Sequence, residues 1–589
     1  MLQKFVENNL EKYGSHHAAI KVRDERNSGW ETKHIGQMND DVQIVAEALA
    51  GFGVSFQQRV GICSNNMYES LIVDFANYRI GAVTVPMFAT LSVTELEFII
   101  KDAEIEVVCA GEQLQYDRLK TILDSGTSTL KHIIVFDHSV VYEQDERVVR
   151  FSELKNSRGT YADVRVTDDD IATIMYTSGT TGEPKGVVLT HRCFSAILDS
   201  YGKRFDRIDK HDSLLSFLPM THIFAKINVY FMLMRGGTVY LNQHPADIQN
   251  VLKEVRPTIM ASVPRFWEKI YDIIEQKRSK MHFRKRLFTS WAMAVGKRRN
   301  IDYERRGKRV PIMLKLKYAI ADKVYFAKVR HLIGLEHGKY FPAAGAAMSK
   351  HHIVYFRAMG IPIVHAYGLT ETTAAVSCYS DTNYVIGSVG RMMPGVQVKI
   401  DPDTNEILVK GDSVCAGYYH RPDLTEKAFV DGWFRTGDAG KIEGVTLYIT
   451  DRIKDLIKTS NGKYVSPQQV EMLLERDEFI RRAIVIGDRR NFITALIEPE
   501  KGVVEKFAWN HGIAYYNFEN LLTNPQITTL FMQRINACQT DLAQFEQVKK
   551  IRFITEDLSK DPTMLTSTMK IRRREVCKKY SELINEMYS

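Results

Sequence analysis

The sequence has no long apolar segment. No stretch reaches about eighteen uninterrupted apolar residues, the length that a helix needs to cross a bilayer. The best candidate, Leu71 to Leu91, is interrupted by Asp74, Arg79 and Pro86. The N-terminal residues also lack the apolar core of a secretion signal, and their pattern predicts a short amphipathic helix. We therefore expect a protein without a membrane-spanning helix.

Cysteine is scarce and shows no regular spacing. The seven cysteines are scattered over 589 residues, their number is odd, and no two of them form a C-x-x-C pair. This distribution argues against a disulfide framework and against a zinc site, and it is typical of reduced thiols. We expect a cytoplasmic protein on this ground.

A strong charge of one sign is also absent. The chain has 79 Lys and Arg against 71 Asp and Glu, a net charge of +8, and 44% of its residues are hydrophobic. These values are typical of a globular protein, and so mild an excess does not choose among anionic partners. Because no base-reading motif is present, we expect no nucleic-acid partner. The length is about four typical domain lengths, which predicts several cores.

Short apolar strands alternate with helices in the N-terminal part of the chain. One helical pattern ends at Ala50, with Asn39 or Asp40 as its cap, and another begins with the capping box of Ser92 and Glu95. The strand-like segments are 60–63, 82–85, 106–109 and 133–136. This alternation predicts a mostly parallel sheet with helices on both faces and ligands at the carboxyl ends of the strands.

A turn rich in glycine and hydroxyl groups follows a further apolar strand, 171–175. It lies in the segment YTSGTTGEPKGVVLTH, Tyr176 to His191, and a second strand is predicted over 187–189. Glycines let backbone N–H groups converge, and hydroxyls and a lysine add donors, which together suit a polyphosphate. The turn is not a Walker A loop, because the four-residue gap before Gly-Lys-Ser/Thr is absent. The candidate phosphate-binding residues are Thr177, Ser178, Gly179, Thr180, Thr181, Gly182 and Lys185.

This turn resembles the phosphate loop of the adenylate-forming (AMP-binding) superfamily, which includes acyl-CoA synthetases. The resemblance extends over nearly the whole chain. It implies an α/β fold whose large N-terminal domain, residues 1–451, has doubly wound parallel-sheet subdomains and a small β-barrel-like subdomain. A small mobile α+β C-terminal domain is then expected over residues 452–589. The resemblance also implies that ATP, Mg²⁺ and CoA take part in the reaction.

A second motif reads YGLTE from Tyr367 to Glu371. It matches a nucleotide-binding turn of the same family. The resemblance implies that Tyr367, beside Gly368, stacks on adenine and that Thr370 bonds the α-phosphate. It also implies that Glu371 holds Mg²⁺ together with Thr177, since hard oxygen ligands suit this ion.

Small residues dominate the segment 341–347, which reads FPAAGAA. Such residues permit a flat base to lie against the backbone. The family has a similar element at the adenine, which implies that Gly345 and Ala346 contact the base. Family members usually have a proline soon after this element, whereas a methionine and a serine follow here.

The C-terminal third carries the expected ribose and CoA contacts. Asp438, at the end of GWFRTGD, matches the family's ribose-binding carboxylate, which can accept from two ribose hydroxyls. Arg452, in the charged run DRIKD, matches the second ribose contact, and Lys454 falls on the hinge position. The segment KTSNGKY resembles the loop that meets CoA, which implies contacts from Gly462 and Lys463.

Three further residues complete the expected site. Lys570, in LTSTMKIR, matches the L-T-x-T-x-K element that bears the catalytic lysine. His222, in LPMTH, fits an LP-x-x-H element that lies beside the acyl carboxylate in long-chain acyl-CoA synthetases. Trp267, in VPRFWEK, resembles an aromatic residue that gates the acyl tunnel in the same branch, and a rigid ring can plug an apolar channel. This last resemblance favours a long acid.

These motifs together predict ATP-dependent activation of a long-chain fatty acid through an acyl-adenylate to acyl-CoA, with release of AMP and pyrophosphate. Two enzymatic alternatives stay open: a fatty acyl-AMP ligase that loads a carrier protein, and a CoA ligase for an aryl or short acid. A non-catalytic lipid- or nucleotide-binding protein is disfavoured by the joint presence of Glu371, Asp438, Arg452 and Lys570. The oligomeric state is not predicted, and a homodimer stays open.

The span 281–330 is strongly basic, with 15 Lys and Arg against three Asp and Glu. Its basic clusters alternate with aromatic residues and leucines. Such a face can lie on anionic lipid at the inner surface of a membrane. A solvated helical insertion explains the pattern equally well.

Overall fold

A computed structural model gives the fold of residues 2–24, 29–156, 159–161, 164–178, 184–453, 457–460, 463–540, 542–556, 558, 564 and 572–588. The helices are α1 Phe5–Tyr13, α2 Ile35–Gly51, α3 Tyr68–Ile80, α4 Val93–Asp102, α5 Gln113–Ser125, α6 His191–Arg204, α7 Ile223–Met234, α8 Ile248–Val255, α9 Pro264–Ser279, α10 Phe283–Gly296, α11 Ile312–Ala321, α12 Ala327–Ile333, α13 Lys350–Ala358, α14 Pro422–Ala428, α15 Pro467–Leu474, α16 Lys501–Asn510, α17 Phe518–Leu522, α18 Pro525–Cys538, α19 Arg573–Lys579 and α20 Ser581–Tyr588.

The strands are β1 Ala18–Arg23, β2 Trp30–His34, β3 Arg59–Cys63, β4 Val83–Met87, β5 Val107–Ala110, β6 His132–Val135, β7 Val148–Arg150, β8 Ile171–Ser178, β9 Pro184–Thr190, β10 Ser213–Ser216, β11 Thr238–Leu241, β12 Phe341–Ala343, β13 Ile363–Leu369, β14 Ala374–Cys378, β15 Gly390–Met392, β16 Gln397–Ile400, β17 Glu406–Lys410, β18 Gly417–Tyr418, β19 Phe429–Val430, β20 Trp433–Glu443, β21 Thr446–Arg452, β22 Ile457–Lys458, β23 Tyr464–Val465, β24 Ile480–Ile486, β25 Thr494–Pro499 and β26 Lys550–Phe553.

An eight-stranded sheet has the order β18-β9-β8-β4-β3-β5-β6-β7. From β8 to β7 all neighbours are parallel, whereas β9 and β18 add antiparallel strands at one edge. The chain places β4 on one side of β3 and β5 on the other, which is doubly wound topology. The inner strands β4 and β5 are mostly apolar and are buried along their whole length, as expected for a sheet covered on both faces. The predicted fold class is confirmed.

Two other sheets are formed by strands that precede residue 453. One has the order β10-β11-β1-β2. The other has nine strands and begins with the parallel pair β12-β13, followed by antiparallel β14, β15 and β21, then β20, β17 and β16, with β19 beside β20. Because β12 and β13 are parallel, the residues that follow both strands lie at one edge of the sheet.

The chain divides into two compact units. The first comprises 1–400, 408–436 and 442–448, and the second comprises 401–407, 437–441 and 449–589. In the second unit, a sheet of order β24-β25-β26 packs with helices such as α15, α16 and α18 around an apolar core. A second small core involves α19 and α20. The predicted boundary between residues 451 and 452 stays a prediction.

Several sequence predictions are confirmed and two are corrected. Ser92 and Glu95 form the predicted capping box at the start of α4. However, α2 begins at Ile35 rather than at the predicted cap, and Asn39 instead accepts a hydrogen bond from Arg79 at 2.8 Å within the helix. The sequence pattern over 575–587 predicts a single C-terminal helix, whereas the structure has two, α19 and α20, because the backbone leaves helical geometry at Tyr580.

Among the described residues, the structure contains no helix with the length and apolar content required to span a bilayer.

Candidate functional site

The glycine-rich turn connects two paired strands. β8 is an inner strand of the parallel sheet, and β9 runs back beside it, with Thr177 opposite Lys185 and Ser178 opposite Pro184. The predicted ligand-binding turn between them, 179–183, lies outside the described residues. Its two ends are therefore fixed at the carboxyl end of β8, where parallel α/β sheets bind ligands.

The second motif forms a tight turn after β13. A short 3₁₀ helix, Thr370–Thr372, follows the strand, and the next two residues, Thr373 and Ala374, have positive φ angles of 48° and 83°. A β-branched residue in this region is strained, and such strain persists only where surrounding contacts hold it. The Thr373 hydroxyl donates to the Ser413 carbonyl at 2.7 Å, which supplies one such contact.

Gly368 is required by the same turn. A Cβ atom at this position would lie 1.4 Å from the carbonyl oxygen of Ala374 on the neighbouring strand. The Thr372 hydroxyl also accepts from the Leu369 N–H at 2.9 Å, so the turn is closed by a local side-chain bond. The YGLTE motif therefore adopts one restricted backbone path that directs Glu371 away from the strand ladder.

Tyr418 joins the two motifs. Its hydroxyl donates to Glu371 Oε1 at 2.9 Å, and the ammonium of Lys185 lies 5.2 Å from its ring centroid. β18 pairs with β9, with Tyr418 opposite Val187, which fixes the position of the ring. Burial, followed by the charge of Glu371, raises the pKa of Tyr418 well above its ordinary value, so its hydroxyl stays a donor at neutral pH.

The predicted adenine-binding residues lie together at the end of the β12-β13 pair. Ala343 on β12 is opposite His365 on β13. Gly345 comes two residues after Ala343 and Tyr367 two residues after His365, so both lie at the same end of the strand pair. Gly345 has φ +88° and no heavy atom within 4 Å of the position of a Cβ, so this edge is open. Buried His365 is hydrogen-bonded to the backbone of Ala346, and burial lowers the pKa of its imidazole.

His222 begins α7. Its Nδ1 accepts a hydrogen bond from the Phe224 N–H at 3.3 Å, so the side chain caps the helix. The turn before it is held by Asn66, whose side chain donates to the Leu218 carbonyl at 2.9 Å and accepts from the Met220 N–H at 2.9 Å. His222 is half-buried at this junction.

Trp267 lies in the apolar core. Its side chain is fully buried, and its Nε1–H donates to the Ser262 hydroxyl at 2.8 Å. Its ring centroid lies 5.0 Å from that of Phe356 and 5.8 Å from that of Phe341. A gating movement of this ring would therefore break one hydrogen bond and at least two ring contacts.

The predicted ribose-binding residues are neighbours in the second unit. Asp438 is buried within β20. The preceding Gly437 donates its N–H to Glu406 Oε1 at 2.8 Å, and its carbonyl accepts from the Ile453 N–H at 2.8 Å. The backbone of Arg452, next to Ile453, consequently lies beside that of Asp438.

Two further predicted segments belong to the same unit. Lys463 immediately precedes β23, which pairs with β22, and its ammonium lies 5.9 Å from the Phe545 ring centroid. The Arg572 N–H donates to the Met564 carbonyl at 2.8 Å. Lys570 itself lies outside the described residues.

Two family descriptions match this chain. The one described as AMP-binding enzyme matches residues 6–419, and the one described as AMP-binding enzyme C-terminal domain matches residues 454–589. The first match alone covers more than half of the chain. The chain belongs to the AMP-binding enzyme family.

Relatives of this AMP-binding enzyme include named ligases. The long-chain-fatty-acid–CoA ligase FadD15 of Mycobacterium bovis is 29% identical over 567 residues, which cover 95% of this chain and 93% of the relative. The long chain acyl-CoA synthetase 1 of Arabidopsis thaliana is 28% identical over 630 residues, which cover 100% and 91%.

Solved structures share the fold. A Mycobacterium tuberculosis fatty acyl CoA synthetase aligns with a TM-score of 0.64 at 23% identity, covering 99% of this chain and 98% of the other. ATP-bound MatB from Rhodopseudomonas palustris aligns with a TM-score of 0.69 at 21% identity, covering 99% and 100%. At these identities the likeness establishes the fold alone.

Some predicted positions of this AMP-binding enzyme cannot be placed. The residues outside the described part are Gly179, Thr180, Thr181, Gly182, Lys454, Gly462 and Lys570. For Ser178 and Arg452 the backbone is described and the side chain is not. Among the described residues, no group of three or more His, Cys, Asp or Glu side chains is arranged to hold a metal ion.

Tyr418 was not among the residues predicted from the sequence. It lies far along the chain from both of its partners, and nothing in the segment AGYYH marks it as a site residue. Only the pairing of β18 with β9 brings it between Lys185 and Glu371.

Proposed function

We propose that this AMP-binding enzyme catalyses ATP-dependent activation of a long-chain fatty acid through an acyl-adenylate to acyl-CoA, with release of AMP and pyrophosphate. The proposal rests on one observation: Lys185 and Glu371 both contact Tyr418, and Lys185 lies opposite Thr177 at the carboxyl end of β8. This arrangement offers a cation and a carboxylate where a metal-bound polyphosphate needs both. The names of the relatives described above support the class of acid.

In the first half-reaction, a carboxylate oxygen of the acid attacks the α-phosphorus of ATP. The new O–P bond replaces the bond to pyrophosphate, which leaves with the electron pair. Negative charge accumulates on the phosphoryl oxygens, so fixed donors lower the barrier most. We assign this role to Lys185, Thr370 and Lys570 and to the N–H and hydroxyl groups of the 177–182 turn.

We propose Glu371 and Thr177 as the protein ligands of Mg²⁺. This ion is usually held by one or two carboxylates together with substrate phosphates, so it does not need a cage of three acidic side chains. The hard oxygen donors of these two residues fit it, and Tyr418 orients the Glu371 carboxylate from one side. When bound, Mg²⁺ would neutralise phosphate charge.

The nucleoside and the acid have their own proposed contacts. Tyr367, with Gly368, would stack on adenine beside Gly345 and Ala346. Asp438 and Arg452 would bind the ribose hydroxyls. His222 would lie beside the acyl carboxylate, and Trp267 would close the acyl tunnel.

In the second half-reaction, the CoA thiol attacks the acyl carbonyl. The C–S bond forms, the thiol releases its proton, and the bond from the acyl carbon to the AMP oxygen breaks. Gly462 and Lys463 would contact CoA, and Lys454 would act as the hinge of the C-terminal domain.

The test is a coupled assay of AMP release by the purified full chain, with ATP, Mg²⁺ and CoA, over acids from acetate to oleate. We expect the highest kcat/KM with long acids and a strict requirement for CoA. Adenylate formation without thioester would favour the carrier-loading alternative, and an optimum at a short or aryl acid would favour the other. Absence of AMP release with every acid would refute the proposal.

The role of Lys570 has its own test. Lys570→Ala should slow adenylate formation at least about a hundredfold while thioester formation from supplied acyl-AMP falls much less, because charge builds at the α-phosphate only in the first step. Lys578→Ala, an exposed lysine on α19, serves as the control. Equal losses in both half-reactions would contradict the assigned role.

A further inference from the structure

Large apolar side chains are exposed along α10. Phe283, Leu287 and Trp291 are 65%, 62% and 37% exposed, respectively. They are spaced four residues apart and therefore lie along one side of the helix. Thr289 and Ala292, on the opposite side, are buried. We call the three exposed residues the α10 stripe.

A second exposed stripe runs along α11. Ile312, Leu316 and Ile320 are 76%, 55% and 54% exposed and again recur every four residues. Leu314 and Ala321 are buried on the other side of this helix. α11 is therefore apolar on two faces, and the fold of this chain uses only one of them. We call the three exposed residues the α11 stripe.

Cations border both stripes. Arg284 follows Phe283 and Arg286 precedes Leu287, whereas Lys315 and Lys317 flank Leu316. At helical spacing the two cations of each pair lie on the two sides of the stripe. All four cations are exposed. A helix face with aliphatic and aromatic residues at its centre and Lys or Arg at its borders is the pattern of helices that lie in a membrane interface.

The few acidic residues of the span 281–330 do not offset these cations. Glu304 pairs with Arg299 at 2.6 Å, and Asp322 pairs with Arg330 at 2.8 Å. Two of the three acids are thus already compensated by cations other than those that border the stripes. The surface around the stripes is consequently cationic.

We propose that the α10 and α11 stripes dock this enzyme onto an anionic lipid bilayer. The apolar residues would enter the boundary between headgroups and acyl chains while the bordering cations meet lipid phosphates. A second copy of the chain fits poorly, because it would bring two cationic surfaces together. A nucleic acid would leave the aliphatic side chains without partners. Charge and apolarity together thus select an anionic membrane.

Docking on a bilayer would give the enzyme direct access to its long-chain acid. This part of the inference rests on the proposed function. Long-chain acids partition into bilayers because each buried CH₂ contributes about 0.8 kcal/mol. An enzyme held at the interface meets its acid in the lipid phase, where most of that acid is. The bilayer is then both the binding partner and the reservoir of the acid.

The first experiment measures sedimentation of the full chain with vesicles. The probes are vesicles of phosphatidylcholine alone and of equal parts phosphatidylcholine and phosphatidylglycerol, at low and high salt. We expect binding to the anionic vesicles that weakens with salt. Two double variants, Ile312→Asn with Leu316→Asn and Lys315→Glu with Lys317→Glu, should each lower the partition coefficient about tenfold or more.

Matched controls use similar residues elsewhere on the surface. Val141 is 78% exposed, so Val141→Asn changes an apolar side chain of similar exposure. Lys210→Glu with Lys427→Glu changes the net charge by the same amount as the lysine variant, and both lysines are exposed. Neither control should change the partition coefficient by more than about twofold.

Insertion has an independent readout. Trp291 lies in the α10 stripe, so bromine-labelled acyl chains in the anionic vesicles should quench part of the protein fluorescence. The variant Trp291→Phe should lose that quenching while the other tryptophans remain. Quenching that persists in Trp291→Phe would place the lipid elsewhere.

Three results would overturn the docking surface. The first is that the wild type does not bind anionic vesicles. The second is that neither double variant changes the binding. The third is that the chain self-associates without binding lipid and that the asparagine variant abolishes this self-association. AMP release with detergent-solubilised acid separates this proposal from the proposed function. Activity retained without vesicle binding would refute only the docking surface, and vesicle binding without activity would refute only the proposed reaction.

Discussion

At the scale of single residues, Tyr418 connects the two halves of the proposed phosphate site. One edge of its ring carries the hydroxyl that donates to Glu371, and the ammonium of Lys185 lies over the ring face. A tyrosine can do both because its ring attracts a cation and its hydroxyl is a donor. Removal of the hydroxyl alone should therefore separate the two functions.

Tyr418→Phe keeps the ring and deletes the hydrogen bond to Glu371. We expect adenylate formation to slow about fivefold, equivalent to about 1 kcal/mol, and the half-saturating Mg²⁺ concentration to rise, because the carboxylate loses an orienting contact. ATP–pyrophosphate exchange under Mg²⁺ titration measures both. Tyr419→Phe, at the adjacent position, should change neither; equal effects in the two variants would contradict the assigned contact.

Glu371→Ala removes the proposed metal ligand. We expect Mg²⁺-dependent adenylate formation to fall at least about a hundredfold, because charge neutralisation at the phosphates is the largest contribution expected at such a site. The Tm should change little, since the half-buried side chain contacts the Tyr418 hydroxyl and does not fill an apolar core. Glu426→Ala, an exposed residue of α14, is the control. Turnover near the wild-type rate would remove Glu371 from the metal site.

At the scale of elements, the turn after β13 depends on a glycine. Gly368→Ala would bring a Cβ within 1.4 Å of the Ala374 carbonyl, so the strand pairing must shift. We expect a loss of about 3 kcal/mol in unfolding free energy, seen as a lower Tm, together with loss of adenylate formation. Gly345→Ala is the comparison, because its Cβ meets no atom within 4 Å.

Gly345→Ala should lower the unfolding free energy by only about 1–2 kcal/mol, the energy required to place an alanine in the left-handed backbone region. A Tm decrease in Gly345→Ala as large as that in Gly368→Ala would show that contact with the neighbouring strand is not the cause.

Trp267 on α9 provides a test of the gate hypothesis. Because the ring is fully buried, Trp267→Ala should lower the unfolding free energy by about 3–5 kcal/mol. Trp267→Phe keeps an aromatic ring, so it should be more stable than Trp267→Ala. It loses the hydrogen bond to Ser262 and should still alter the preference among acids from butyrate to stearate. A profile for Trp267→Phe identical to that of the wild type would make the ring a core residue only.

Element types were predictable where local pattern and tertiary packing agree. The capping box at Ser92 and the strands β3 to β6 follow from side-chain hydrogen bonding and continuous apolar runs, both of which the sequence displays. The start of α2 was not predictable, because burial of Ile35 extends the helix beyond the polar residues that looked like its cap. Tertiary packing outweighed the local signal there.

The candidate site was predictable only within its motifs. Glu371 and Lys185 stand out because glycines and hydroxyls surround them in sequence. Tyr418 does not, because its role arises from a strand pairing between distant segments, which no local pattern records. The exposure of the α10 and α11 stripes was not predictable for a related reason. Their apolar residues have the spacing of a buried helix face, and only the structure shows which side of each helix is buried.

At the scale of the whole molecule, acid should destabilise the fold through His191, the first residue of α6. Burial is the main cause that lowers the pKa of this imidazole from 6.5 to about 4. Its Nε2 is buried without a hydrogen-bond partner among the described residues. The unfolded chain therefore binds a proton that the folded chain excludes, and stability falls as the pH drops from about 6.5 to about 4.

The variant His191→Phe should remove this part of the pH dependence. Between pH 6.5 and pH 4 the wild type should lose about 3 kcal/mol more than the variant, at 1.36 kcal/mol per pKa unit. The measurement is the urea midpoint at several pH values. The ring contact with Tyr78, 5.7 Å between centroids, is available to phenylalanine, so stability at neutral pH should be retained. Identical pH profiles would exclude His191 as the cause.

The pairing of β9 with β18 also sets an order of events during synthesis. The outer edge of β9 at Val188 cannot be hydrogen-bonded until Gly417, about 230 residues later in the sequence, has been synthesised. At ~5–20 residues per second, a ribosome needs about 12–45 s to supply that partner. During this interval the apolar strand VVL is an open edge, the kind of surface that recruits other unpaired strands. Nascent chains stopped before residue 417 should therefore depend on chaperones. The contacts of Tyr418 with Lys185 and Glu371 can form only after β18 leaves the ribosome.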